Sequence, residues 1–413
     1  MPHSTGALPQ ASTLWNRNFT LYWLASVQSV FGNSLSTVVT AVLVYGLTGK
    51  ASSMGVTLAL GMLPALLGPF AGVVVDKVPV RSLLIAGDLL RGVLVAALAF
   101  MATTGQAELW MLNVVVFMAG LVTAFTAPAT QVLLPQLVSE EHLARANGLM
   151  TTGNQTAQLL GLFLGAGLVS AFGAGPSLWV DALTFFVMAG LLTLVRLPAR
   201  VEVPAAESFW TALTAGFRVL REHPGFAMIP VLAFVINVAF APVEMVLPKH
   251  LVTLGLGESL YGVALATVVA GMVAGGLGVT ALGQRFKPKL ALPLGLMATG
   301  AGLMAFGLVK LPAAFFAFAA VIGVGISLTN TSIAYLGQTL IPAEFRGRVF
   351  GLINATAQAG MPIALIALGP VADSWGSARL MLLAGLTVIV ATAVWWWQDR
   401  SSLASDSLSI GSN

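Results

Sequence analysis

The chain has 413 residues, 57% of them hydrophobic and only 8% charged, with a net charge of +4. An ordinary soluble domain carries about 25% charged residues, so this composition excludes a soluble enzyme, a nucleic-acid binder and a disordered scaffold. The absence of cysteine removes disulfides and thiol chemistry, and His3, His142, His223 and His250 are scattered without the spacing of paired ligands.

A helix needs about 20 apolar residues to cross a bilayer, whereas the strands of a membrane barrel are shorter and alternate apolar with polar. Long apolar runs recur along the whole chain. After an N-terminal tail, 1–17, six predicted spans run roughly 18–46, 52–75, 82–104, 109–134, 146–171 and 177–195. The long connection 196–225 carries Phe209, Leu213, Phe217 and Leu220 at three- and four-residue steps opposite Glu207, Arg218 and Glu222. That is the pattern of an amphipathic helix lying on the membrane surface. Six more spans run roughly 226–252, 259–282, 290–309, 313–337, 349–372 and 378–397, and a tail, 398–413, follows. With both ends placed inside, fourteen of the 19 Lys and Arg fall on the inner side, and Lys50, Lys249, Lys310 and Arg379 fall outside. The positive-inside rule therefore predicts a multi-pass protein of the cytoplasmic membrane with both termini in the cytoplasm.

Ionisable groups within spans cost a few kcal/mol at the bilayer centre and are functional candidates by default. Asp88 and Arg91 stand three apart on one face of the third span, a spacing that suits a mutual ion pair. Asp181 begins the sixth span, where it either caps the helix or handles a proton. Glu244 lies in the seventh span between Pro242 and Pro248. It is either a carboxyl that takes up and releases a proton as its exposure alternates, or a side chain near the outer end that is hydrated or paired with Lys249. Gln28, Asn33, Asn113, Gln155, Asn237, Asn330, Asn354 and Gln358 are uncharged polar groups within spans, some expected to line a cavity and others to bond between helices. No P-loop, HExxH or GxSxG motif is present, so neither an enzyme nor an ATP-driven pump is expected, nor a cofactor or metal.

The chain also repeats itself. At an offset of 203 residues Leu133, Leu137, Glu141, Arg145, Gly148, Leu149, Gln155 and Leu162 fall on Leu336, Leu340, Glu344, Arg348, Gly351, Leu352, Gln358 and Leu365. Lys77 and Arg81 have the spacing of Arg285 and Lys289, six spans later. Two six-span halves, 18–195 and 226–397, related by duplication are the simplest account. The pairs Glu141/Arg145 and Glu344/Arg348 have helical i,i+4 spacing and are either gating contacts on the inner side or solvated surface charge.

The loop Gly72-Val-Val-Val-Asp76-Lys77-Val-Pro-Val-Arg81 between the second and third spans resembles the Gly-x-x-x-Asp-Arg/Lys-x-x-x-Arg signature of the major facilitator superfamily. The resemblance implies an all-α integral membrane fold, 12 transmembrane helices in two pseudo-symmetric six-helix bundles. It also implies a gating role for Gly72, Asp76, Lys77 and Arg81, which in the family latch the two halves on the cytoplasmic side. Further stretches resemble the drug- and siderophore-exporter branch that includes the macrolide-efflux and enterobactin-exporter families. They are Asn18-Phe-Thr-Leu-Tyr-Trp-Leu, Val44-Tyr-Gly-Leu-Thr-Gly49, Leu134-Pro-Gln-Leu-Val138 through Gly148, Gly216 through Pro224 and Arg346 through Gly351. The fourth span lacks the Arg, and the fifth the Pro, that many proton-coupled drug exporters carry there. What the branch implies is a monomeric secondary transporter whose partners are a small amphipathic substrate, protons and membrane lipids. Proton-coupled export is the leading expectation; a lysophospholipid flippase, a metabolite or siderophore exporter and a non-transporting receptor are the alternatives.

Overall fold

The computed structural model describes residues 14–67, 78, 80–195, 214, 218, 228–340 and 360–410. In chain order the first helices are α1 (Arg17–Thr48), α2 (Ala51–Met62, continued by a 3-10 turn Leu63–Leu67), α3 (Val80–Thr103), α4 (Leu109–Leu137), α5 (Glu140–Phe172) and α6 (Ala174–Leu194). They are followed by α7 (Met228–Thr253), α8 (Tyr261–Leu282), α9 (Pro288–Leu308), α10 (Pro312–Leu340), α11 (residues 360–375) and α12 (Ser377–Ile410). No strand occurs among the described residues, and 10 helices there are long and apolar enough to cross a membrane. The end of the second predicted span, the start of the eleventh and the connection 196–225 apart from Thr214 and Arg218 lie outside the described residues. α12 runs past the predicted end of the last span because no Gly or Pro interrupts 398–410, and Gly411 comes only afterwards.

Side chains and backbone mark the helix ends. Asn16 caps α1 by accepting the Phe19 N–H at 2.9 Å, while its Nδ2 donates to Leu137 O at 2.8 Å and ties that start to the end of α4. One residue, Gly173 (φ 81°), joins α5 to α6, and one residue, Gly376 (φ 82°), joins α11 to α12. Both turns need the positive φ that glycine alone adopts freely, and they stand 203 residues apart, in the register of the repeat.

Two compact units result, Met1–Phe209 with Gly257–Ala266, and Trp210–Leu256 with Thr267–Asn413. In the first, α3 packs on α6, α1 on α5 and α6, and α2 on α4. In the second, α9 packs on α12 and α10, and α7 on α12. The α3–α6 and α1–α6 pairings thus recur as α9–α12 and α7–α12. Small residues bring helices close: on α5, a side chain at Gly161 would stand 2.5 Å from Phe31 O of α1. Phe100, Phe163, Leu183, Leu277, Leu308 and Ile363 are each more than half exposed. A soluble protein rarely tolerates that much open apolar surface, and here it faces hydrocarbon.

Candidate functional site

α3, α6 and α1 bring charge together inside the first unit. Asp88, Arg91 and Asp181 are 6%, 7% and 0% exposed. Asp181 Oδ2 accepts a hydrogen bond from Ser36 Oγ of α1, and its Oδ1 is buried with no hydrogen-bond partner. Arg91 Nη2 donates to Ala119 O at 3.0 Å and to Thr123 Oγ1 at 2.5 Å, both on α4. Its Nε is buried without a partner, and its guanidinium carbon stands 5.9 Å from the centre of the Phe185 ring, within cation–π range. Both carboxylates act electrostatically on Arg91, yet neither makes a direct ion pair with it. A cavity of about 190 Å³ is lined by Arg91 and Asp181, by Asn33, Ser36 and Thr37 of α1, and by apolar side chains such as Val95 and Phe185.

Two sequence expectations change here. Asp88 and Arg91 share a helical face but form no contact pair, because the arginine side chain reaches across to carbonyl and hydroxyl acceptors on α4. Asp181 is no cap: α6 begins at Ala174 with Gly173 in the turn, which leaves the carboxylate two turns inside the helix.

A second feature of the first unit is a polar stripe where α1 lies against α5. On α1, Tyr22, Ser26, Ser29, Asn33 and Thr37 recur at three- and four-residue steps. On α5, Asn147, Thr151, Asn154 and Gln158 do the same. Ser26 Oγ donates to Asn154 Oδ1 at 3.3 Å. One cavity of about 490 Å³ lies against Tyr22, Ser26, Asn147 and Asn154 together with Leu84, Leu134, Met150 and Met188. Another of about 420 Å³ lies against Asn33, Thr37, Asn154, Gln155 and Gln158. Among the described residues no charged side chain lines either one. Asn33 and Thr37 also line the cavity that holds Arg91 and Asp181.

The amide side chains sort into two groups. Asn33 and Gln155 line the same cavity. Gln28 instead donates to Thr184 O at 2.7 Å, joining α1 to α6, and Asn113 accepts from Thr57 Oγ1 at 2.7 Å, joining α4 to α2. In the second unit Asn237 is half-buried on α7 and Asn330 exposed on α10, while Asn354 and Gln358 lie outside the described residues.

Glu244 is half-buried on α7 between Pro242 and Pro248, flanked by buried Val243, Met245, Val246 and Leu247. The alternative pairing with Lys249 is not formed. Of the four signature residues of the inner-loop motif, Gly72, Asp76, Lys77 and Arg81, only Arg81 is described. It donates from Nε to Leu192 O at 3.3 Å and from Nη2 to Thr193 O, closing carbonyls that the end of α6 leaves open. Gly72, Asp76 and Lys77 lie outside the described residues, as do Glu344 and Arg348. The expected pairing of Glu141 with Arg145 is also not formed: Glu141 lies 3.4 Å from His142, and Arg145 is exposed, where an ion pair gains little over solvation. Among the described residues no group of three His, Asp or Glu side chains could hold a metal ion.

Sequence reasoning missed Ser36, Ser26, Asn147 and Asn154, and it passed over His250. That histidine is buried at the end of α7, with Nε2 2.7 Å from Phe306 O of α9 and Nδ1 3.0 Å from Ser377 Oγ of α12. A carbonyl only accepts, so Nε2 carries the hydrogen and Nδ1 takes the serine hydroxyl as donor. The available signal was the i, i+3/i+4 recurrence of Ser and Asn on α1 and α5; no sequence pattern marks His250.

The family model of the Major Facilitator Superfamily matches residues 19–365, and the chain belongs to that family. Macrolide efflux protein A of Streptococcus pyogenes is 25% identical over 388 residues, covering 92% of this chain and 95% of that protein. The multidrug efflux pump Tap of Mycolicibacterium fortuitum is 24% identical over 385 residues, covering 91% and 94%. The crystal structure of the nucleoside transporter NupG superposes with a TM-score of 0.71 at 12% identity, over 92% of this chain and 98% of that one, a likeness of fold alone.

Proposed function

We propose that this Major Facilitator Superfamily member exports amphipathic or hydrophobic drug-like molecules, macrolides among them, across the cytoplasmic membrane in exchange for protons. Its termini are then cytoplasmic, it works as a monomer, and its two six-helix units alternate access. The observation that carries this reading is the uncharged mixed surface of α1 and α5, where amides and hydroxyls stand beside Leu84, Leu134, Met150 and Met188 along cavities of about 490 and 420 Å³. Apolar walls with a few polar groups suit a bulky amphipathic ligand better than a phosphate or a compact ion. Support comes from the two efflux relatives, each matched along more than nine-tenths of this chain. Coupling candidates are Glu244, Asp88 and Asp181; Gly72, Asp76, Lys77, Arg81, Glu141, Arg145, Glu344 and Arg348 are the inner-side gating candidates.

The test is accumulation of a labelled macrolide in cells that express the protein, with and without a protonophore. Expression should lower accumulation, and the protonophore should restore it. The sign with external pH follows from the gradient: proton influx drives export, so export falls as the outside becomes more alkaline. Export that ignores both the protonophore and pH removes proton antiport. Movement of a lysophospholipid with no movement of a macrolide removes the drug reading.

A further inference from the structure

We infer that Asp181 Oδ1 is the atom on which the first unit carries the coupling proton, with Arg91 as its fixed counter-charge and with Asn33 and Thr37 as the wall shared with the substrate cavity. This rests on the antiport reading above and gives it a location.

Within α1 to α6, beyond the first turns of the helices, Asp88, Arg91 and Asp181 are the charged side chains: α1 has only Arg17 at its start, α2 and α4 have none, and Glu140, Glu141, His142 and Arg145 fall in the opening turns of α5. The other titratable groups on α1, Tyr22 and Tyr45, stand more than two turns from Ser36. With all three buried groups ionised the interior holds two negative charges and one positive. A buried charge without compensation is costly, and a single proton removes the excess.

Hydrogen bonding selects the atom. Ser36 occupies Oδ2, while Oδ1 is buried and unpartnered, and so is the Nε of Arg91, a residue that lines the same cavity. Both residues line the same cavity of about 190 Å³, while the unsatisfied acceptor and the unsatisfied donor are themselves enclosed by protein, so a proton on Oδ1 needs no room of its own. A metal ion entering there would meet the guanidinium, whereas a proton turns the carboxylate into a neutral hydroxyl donor and adds no like charge. Connection to substrate is direct: Asn33 and Thr37 line both this cavity and the one beside Gln155 and Gln158. A molecule seated in the cavity beside Gln155 and Gln158 lies against two residues that also line the cavity of Asp181. Glu244 lines none of these three cavities.

The test needs no substrate. Infrared difference spectra of the purified protein in lipid nanodiscs, taken between mildly acid and alkaline buffer, should show the C=O band of a protonated buried carboxyl. Asp181→Asn should abolish that band, while Asp88→Asn and Glu244→Gln should retain it. Ser36→Ala, which keeps the carboxyl and loses its hydrogen-bond donor, should move the band in frequency, and this variant decides the matter should Asp181→Asn fail to fold. A wild type without the band, a band that survives Asp181→Asn, a band lost with Glu244→Gln or one unmoved by Ser36→Ala overturns the assignment. A band that behaves as stated in a protein that moves no macrolide upholds the proton site and removes the drug reading instead.

Discussion

The two units share a scaffold and differ in what they bury. The first encloses Asp88, Arg91 and Asp181. In the register set by the repeat, Asp181 corresponds to Ala384, and the loop spacing of Lys77/Arg81 with Arg285/Lys289 puts Leu296 and Thr299 opposite Asp88 and Arg91. All three counterparts are buried, but none is charged. Among its described residues the second unit fully encloses a neutral set, which includes His250 between Phe306 O and Ser377 and the hydroxyls of Thr299, Thr329 and Ser332. Duplication preserved the helix pairings and the single-glycine joints because those set the packing. Buried charge was free to specialise: among the described residues the fully enclosed charges all lie in the first unit, and the second has the half-buried Glu244.

That contrast breaks most sharply at Arg91. Arg91→Leu leaves two buried carboxylates without a counter-charge and should cost about 3–5 kcal/mol, whereas Thr299→Val in the second unit removes a hydroxyl that has no partner and should be nearly neutral. Denaturant unfolding of both variants in detergent measures the difference, and equal losses would erase the distinction between the units. His250→Ala should cost about 3 kcal/mol, because Phe306 O loses its donor and Ser377 its acceptor. It should leave the pH profile of export unchanged; a displaced profile would give the second unit a share of the coupling. Gly173→Ala and Gly376→Ala should each cost about 2 kcal/mol through a strained positive φ, and similar losses in the two would sharpen the claim of a common scaffold. Smallest of all, Arg81→Ala should cost about 0.5–1 kcal/mol by uncovering the end of α6, with thermal unfolding as the readout.

The helices were legible because long apolar runs have few other uses, and most predicted ends fall within a few residues of the observed ones. The chemistry was legible only in part. Drawing the sixth span from 177 made Asp181 look like a cap, and its partner Ser36 lies 145 positions away in the chain. Spacing placed Asp88 and Arg91 on one face, but spacing carries no information on how far an arginine side chain reaches toward another helix. Gln28 and Asn113 look like Asn33 and Gln155 in sequence. What separates them is the helix each one faces, and that is a property of packing.

The one-residue joints have a mechanical consequence. An extended residue spans about 3.5 Å and two such steps separate Phe172 from Ala174, so the ends of α5 and α6 that meet at Gly173 stay within about 7 Å of each other in every conformation of the transporter. Relative motion of the two helices is therefore rotation about that point. α5 has 33 residues and is about 50 Å long, so a swing of about 10° at the joint carries its far end about 9 Å. The joint is the fulcrum of a lever, and the stretch of α5 that lies against the cavities rides on its long arm.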